Sequence, residues 1–223
     1  MSMAINQLPI ATARRLPIYH RYLQTLSSMG KERVSSAEVG QALHIDSATV
    51  RRDFSHLGEL GKKGYGYSVP YLVEVLQSVL MQDELVHVIL VGVGNLGTAL
   101  CKYNFYRSRQ MSIVAAFDVD PEKIGHGVDG IPVFPVDQLV EYVHAHRIDV
   151  AILAVPAAVA QATVDLVVGS GIRGILNFSP RTLVVPDEVR VRQIDMTTEL
   201  QTLVYYLRTE RGPDTGGAHD GNR

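Results

Sequence analysis

The chain has 223 residues, 46% hydrophobic and 20% charged, an ordinary globular composition with apolar material for more than one core and length for one or two domains. No run of about 18 apolar residues implies a membrane span. The opening MSMAINQLPIATARR lacks the charged lead and apolar stretch of a signal peptide, and the single cysteine, Cys101, excludes an internal disulfide. A cytoplasmic protein is expected. The net charge of −2 taken alone speaks against a nucleic-acid partner, but its distribution does not. Up to Val69 there are nine basic and five acidic side chains, a balance of +4 that leaves −6 for the rest. A basic N-terminal third on an acidic body points to an anionic partner for the first part alone.

In chain order, residues 11–29 place Leu16, Tyr19, Tyr22, Leu23 and Leu26 at helical spacing, with Gly30 as a stop and Pro17 as a kink or as the helix's true beginning. In SSAEVGQALHI, Ser35 and Glu38 have capping-box spacing, and Val39, Ala42 and Leu43 form the buried stripe of a short helix. Asp46 or Ser47 caps a third helix, ATVRRDFSHLGEL, with Val50, Phe54 and Leu57 inward and Gly61 at its end. GKKGYGYSV, glycines interleaved with lysines and tyrosines, predicts a tight β-hairpin. Three helices and a basic hairpin are the winged form of the helix-turn-helix. YLVEVLQSVLMQ follows as a connecting helix.

From His87 the pattern changes. HVILVG, SIVAAFD, IPVF, DVAILAV, GILNF and the region around VRVRQID are strand candidates, and VDQLVEYVHAHR and AAVAQATVDLVVGSG are helices between them. The alternation predicts an α/β domain with a doubly wound parallel sheet of Rossmann type. A last helix spans residues 196–208, and the Gly- and charge-rich end reads as a disordered tail. The expected domains are a winged-helix DNA-binding domain with its connecting helix (1–82), a Rossmann NAD(H)-binding domain (83–195), a C-terminal dimerisation helix (196–210) and the tail (211–223).

The strongest chemical signal is Gly92-Val93-Gly94-Asn95-Leu96-Gly97, directly after one strand and before a helix. Gly92 permits the tight turn, Gly94 lets the backbone approach a pyrophosphate, and Gly97 lets helix and strand pack closely. The helix N-terminus offers free N–H groups and a positive dipole end. Asp118 ends the second strand, 21 positions after Gly97, where a carboxylate accepts from ribose hydroxyls and repels a 2′-phosphate, favouring NADH and NAD+ over the phosphorylated cofactors. Asp120, beside Pro121, reads as a turn residue. Val155, Pro156, Asn177, Phe178 and Pro180 follow strand ends on the ligand edge. They line the nicotinamide pocket or simply make the strand-end turns.

On the third helix Arg51 and Arg52 suit base edges and phosphates in a major groove, with Ser47 and Thr49 as phosphate donors and Lys62 and Lys63 on the wing. Being adjacent, the two arginines point differently, one to bases and one to phosphate. Cys101 reads as buried packing, and no histidine pair, His144 and His146 included, has metal-ligand spacing. An NAD-dependent oxidoreductase would share the glycine loop but needs a substrate domain and a proton donor or acceptor, for which the chain shows neither room nor a His or Lys constellation. A winged module that binds protein, in a nucleotide-dependent scaffold, is the third reading.

With both motifs in place, the chain resembles the Rex family of redox-sensing transcriptional repressors. The carrying stretches are RVSSAEVGQAL, DSATVRRDFSHLGELGKKGYGY, VGVGNLGTAL, AAFDVDPEKIG, AVPAAVAQATVDL, GIRGILNFSP and VRQIDMTTELQTLVYYL, across residues 16–208. The resemblance implies a homodimer exchanging its C-terminal helix, and palindromic operator DNA bound when NADH is scarce and released when the NADH/NAD+ ratio rises. It also implies a switch of Arg21, Tyr103 and Asp195, with Tyr103 facing the cofactor. The residues by themselves give Arg21 as a surface charge, Tyr103 as core and Asp195 as a cap for the last helix.

Overall fold

The stripe Leu16, Tyr19, Leu23 and Leu26 becomes the buried face of helix α1 (Ile10–Ser28). The computed structural model describes residues 8–58, 60–62, 65–80, 85–103 and 111–210; they fall into two compact units, Met1–Glu84 and Leu85–Arg223. Pro17 neither starts nor ends α1, which runs through it. Burial on both sides of an exposed Pro17 outweighs the local cost of its missing N–H.

The strand β1 (Arg33–Val34) precedes α2 (Ser36–Leu43), whose N-terminus is the Ser35–Glu38 capping box with both reciprocal bonds formed. His44, in the left-handed region at φ 54, turns the chain out of α2. The turn is so close that a Cβ on Gly40 would sit 2.4 Å from the Ile45 carbonyl oxygen. Asp46, not Ser47, caps α3 (Ser47–Ser55), accepting from the amides of Ala48 at 2.7 Å and Thr49 at 3.2 Å. α3 stops short of the expected Gly61, and Gly58, at φ +105, reverses the chain. Leu57 and Leu60 are nonetheless buried, which is why the apolar pattern ran past the helix end.

Gly61 instead opens β2 (Gly61–Lys62), which pairs antiparallel with β3 (Gly66–Ser68); β1 pairs with the other side of β3. A two-residue strand carries too little periodicity to be read from sequence, and β1 was not anticipated. Helix α4 (Val69–Leu80) contributes Val69, Leu72 and Leu76 to the same core as α1, so it is part of this unit rather than a bare connector. Edge-to-face contacts Tyr19–Phe54 and Phe54–Tyr67, 5.2 and 5.0 Å between centroids, run through that core from α1 by way of α3 to the hairpin.

One carboxylate is buried with them. Asp53, on α3, is 1% exposed and accepts from Thr12 Oγ1 at 2.8 Å, Tyr19 Oη at 2.7 Å, and Arg15 Nε and Nη2 at 2.6 and 2.8 Å. All four donors come from α1, so the fork fixes the angle at which α3 is presented.

The second unit is a six-stranded parallel sheet. Its strands are β4 (Val86–Val91), β5 (Met111–Asp118), β6 (Val133–Pro135), β7 (Val150–Leu153), β8 (Gly174–Asn177) and β9 (Arg190–Gln193), in the order β6-β5-β4-β7-β8-β9. That is the doubly wound order, whose direction reverses between β4 and β7. Alternate residues of β4 serve opposite faces. Ile89 and Val91 join Leu139, Val143, Val164 and Val167 of α6 (Leu139–Ala145) and α7 (Ala160–Gly169), whereas Val88 and Leu90 join Cys101 of α5 (Asn95–Tyr103). Among the described residues, no helix is long and apolar enough to cross a membrane.

The last helix, α8 (Met196–Glu210), belongs to neither core. Residues 196–209 are all exposed, among them Met196, Leu200, Leu203, Val204 and Leu207, an apolar stripe at helical spacing. Residues 211–223 and the disorder expected of them lie outside the described residues.

Candidate nucleotide cradle and nucleic-acid interface

Between β4 and α5 the three glycines have three different reasons. Gly92 sits at φ +96, and a Cβ there would lie 2.6 Å from the Ala154 carbonyl oxygen and 2.9 Å from Val155 Cγ1. Gly97 admits no side chain, since its Cβ would fall 1.9 Å from the Gly92 carbonyl oxygen. Gly94 is hemmed in by nothing within 4 Å and is exposed. The first two are required by the protein's own packing. The third is open toward solvent just where α5 begins and its first-turn amides have no helical partner. That opening fits a pyrophosphate.

Asp118 closes the cradle from β5. It is 7% exposed; Oδ2 accepts the Val93 amide at 2.6 Å and Oδ1 the Asp120 amide at 2.9 Å. Lys123 Nζ stands 3.5 Å from Asp118 and 3.2 Å from Asp120. Burial works to raise the Asp118 pKa, but the amides of Asp120 and Val93 and the Lys123 charge outweigh it, so the carboxyl lies below its usual range. It is therefore ionised at neutral pH. A carboxylate offers about four acceptor positions, so these contacts leave capacity for a ribose hydroxyl. Val155, half-buried, and Pro156, exposed, follow β7 directly, across the reversal point from Gly92.

The glycine loop, Asp118 and Val155 are thus brought to one edge. Leu96 is exposed, and so is Tyr103 at the end of α5, contrary to its reading as core. Asn177, weighed as a pocket residue, is 0% exposed and engaged in an internal network. Asp195 caps α8, accepting from the Thr197 amide at 2.9 Å and Thr198 Oγ1 at 2.9 Å. Arg21 is an exposed residue of α1 in the other unit.

In that unit α3 turns Val50, Asp53 and Phe54 inward and leaves Arg51 and Arg52 exposed. Arg51 Nη1 reaches Ser36 Oγ at 3.3 Å and Ser47 Oγ at 3.4 Å, across the α2–α3 elbow. The adjacent arginines do point apart, because consecutive helical positions are separated by about 100°. Thr49 is half-buried beside them. Lys62 belongs to β2, and Lys63 lies outside the described residues. Sequence reasoning missed Arg33. Its guanidinium sits 5.3 Å from the Tyr65 ring centroid and donates to the Tyr65 carbonyl at 3.0 Å, pinning the hairpin end to β1. Only the pairing of β1 with β3 brings it there. No group of three or more His, Cys, Asp or Glu suited to a metal ion occurs among the described residues.

Comparison with known proteins follows the same division. Residues 7–55 match a family described as "Putative DNA-binding protein N-terminus", and residues 83–181 match the CoA binding domain. A redox-sensing transcriptional repressor Rex from Listeria welshimeri is 54% identical over 202 residues, covering 91% of this chain and 94% of its own. The chain belongs to the Rex family of redox-sensing transcriptional repressors. The resemblance read from the sequence is therefore correct, and so is the fold of winged-helix part plus Rossmann-like sheet. Crystal structures of RSP, a Rex-family repressor, superpose at TM-scores of 0.84 for its complex with NAD+ and operator DNA and 0.82 for its complex with NADH. They are 33% and 32% identical, cover 92% of this chain, and are themselves covered to 95% and 97%. Rex proteins are named as regulators, and the oxidoreductase alternative falls with that membership.

Proposed function

We propose that this chain is a cytoplasmic homodimeric repressor that grips palindromic operator DNA through α3 and the wing, and lets go when NADH fills the cradle of Gly92 to Gly97 and Asp118. The observation that carries the nucleotide half is Gly94, open on its ligand side between two glycines that packing demands. NADH supplies the redox information by its presence; the chain's own work is to bind it. In this reading the amides after Gly94 hold the pyrophosphate, Asp118 holds the adenosine ribose, and Val155, Pro156 and Tyr103 border the nicotinamide. Arg51 and Arg52, with Ser47, Thr49, Lys62 and Lys63, carry the DNA. The exposed stripe of α8 supports the dimer, because an apolar face of that length is stable in water only against a second surface. Exchange of α8 between subunits is the arrangement we propose.

The mechanism is differential binding. NADH releases DNA only by binding the released state more tightly, and operator must weaken NADH by the same factor, on the order of 1–3 kcal/mol. Fluorescence anisotropy on a palindromic operator, with NADH, NAD+ and NADPH added separately, tests it. NADH is expected to raise the operator Kd, with NADPH far weaker because Asp118 is ionised. Equal NADH affinity with and without operator would falsify the coupling. Without nucleotide, log affinity is expected to fall with log salt at a slope of about −0.9 per phosphate contact, with about four to six contacts per half-site. Arg51→Ala and Arg52→Ala should each flatten that slope. A titration indifferent to salt removes DNA from the proposal.

Asp195→Ala is expected to leave NADH binding near wild type and to weaken its effect on DNA, read in the same titration. A variant still fully released by NADH takes Asp195 out of the switch with Arg21 and Tyr103.

A further inference from the structure

The loop between β8 and β9 is closed by a ring of hydrogen bonds that the cradle does not use. Asn177, the last residue of β8 and 0% exposed, donates from Nδ2 to Gln193 Oε1 at 2.7 Å. Gln193, the last residue of β9, donates from Nε2 to the Ser179 carbonyl at 2.6 Å, and the Ser179 amide donates to Asn177 Oδ1 at 2.9 Å. Asn177 also donates to the Arg181 carbonyl at 3.0 Å, and its own carbonyl accepts from Ile194 at 2.8 Å. Asp195, the cap of α8, is the next residue after Ile194. The buried Ser179 hydroxyl, 1% exposed, is left without a partner beside these bonds.

Three features give the ring a consequence. It stands on the ligand edge of a doubly wound sheet. It adds side-chain bonds to the Ile194–Asn177 main-chain bond that joins the end of β8 to the start of α8, there being no helix between β8 and β9 to brace the loop. The helix it anchors packs on neither face of the sheet, so its placement on this unit depends on this attachment. A ring in which each bond orients the next is held as one piece.

We infer that Asn177, acting through Gln193, is the positioning pair that carries nucleotide occupancy at the sheet edge into the placement of α8. The inference rests on the repressor reading above. Neither residue touches the nucleotide in this scheme; they transmit its binding.

Gln193→Leu tests it in the full-length protein, since Gln193 is exposed and leucine keeps its bulk while removing both bonds. Three quantities are read: NADH Kd without DNA, operator Kd without NADH, and operator Kd at saturating NADH. The first two are expected within about twofold of wild type, while the NADH-induced change in operator affinity shrinks by about tenfold or more. Amide exchange gives a readout that a merely structural role would not move: NADH should alter protection at Thr197 and Thr198 in wild type and not in the variant. Should Gln193→Leu fail to fold, Gln193→Glu keeps the acceptor for Asn177, replaces the donor to Ser179 by a charged oxygen facing that carbonyl, and answers the same question. Undiminished coupling in the folded variant overturns the inference and leaves the repressor reading standing. A variant that no longer binds NADH overturns it too, by placing the ring in the binding site. A wild type indifferent to NADH refutes both.

Discussion

Asp53→Ala is expected to destabilise the N-terminal unit by about 3–5 kcal/mol, the range for removing one partner of a buried, hydrogen-bonded charge. The loss is large because it is shared by four donors. Thr12, Tyr19 and both ends of the Arg15 fork converge on this one carboxylate, and each is stranded by alanine. By contrast, the exposed Lys31–Glu38 pair is screened by solvent and contributes little. Burial alone would raise the Asp53 pKa, but hydrogen bonds from Arg15, Tyr19 and Thr12 prevail and hold it below the ordinary carboxylate value. The sign follows. A depressed folded-state pKa contributes stability that is fully present above the unfolded value near 3.9 and is lost as pH falls through the lower folded value. Asp53→Asn should therefore lower stability at neutral pH and flatten the acid limb below about pH 4. Urea unfolding followed by circular dichroism across that pH range measures both. Operator affinity should fall with stability, since the same fork sets the presentation of α3. An Asp53→Ala protein as stable as wild type would mean that the fork is not a constraint.

Gly94→Val is expected to leave the fold intact and weaken NADH by at least ~100-fold, about 2.7 kcal/mol. The reason is the asymmetry among the glycines. Nothing lies within 4 Å of a Cβ at Gly94, so a side chain leaves the backbone there without a clash; the approaching pyrophosphate is what it would meet. Gly97→Ala carries the opposite expectation. Its methyl would stand 1.9 Å from the Gly92 carbonyl oxygen, so strand and helix must separate and the unit loses stability as well as ligand. Thermal unfolding and calorimetric titration with NADH separate the two cases. The Gly94→Val repressor should hold its operator at NADH concentrations that release wild type. If Gly94→Val binds NADH normally, the cradle is not where the pyrophosphate sits.

What was legible in the sequence and what was not divides along physical lines. The glycine loop, the parallel strands, the Ser35–Glu38 box and the acid at the end of β5 could be read because each is written in consecutive residues. A turn needs its glycine, a buried strand its apolar run, and a cap its oxygen at fixed spacing, all short-range requirements. The end of α3 and the strand β1 were not legible. Leu57 and Leu60 remain buried after the helix has stopped, so the apolar period does not mark its end, and two residues have no period at all.

The sequence by itself settled the class of each half and the position of the glycine loop. Only the tertiary structure decided that Asp53, unremarkable in a basic helix, is the keystone between α1 and α3, and that Arg33 holds the wing. It alone showed that Asn177 closes a ring with Gln193, and that α8 presents its apolar stripe outward. Each of these depends on groups between 14 and 41 positions apart in the chain meeting in space, or failing to. Spacing along a sequence encodes the period of a helix or a strand. It does not encode which two of them end up side by side.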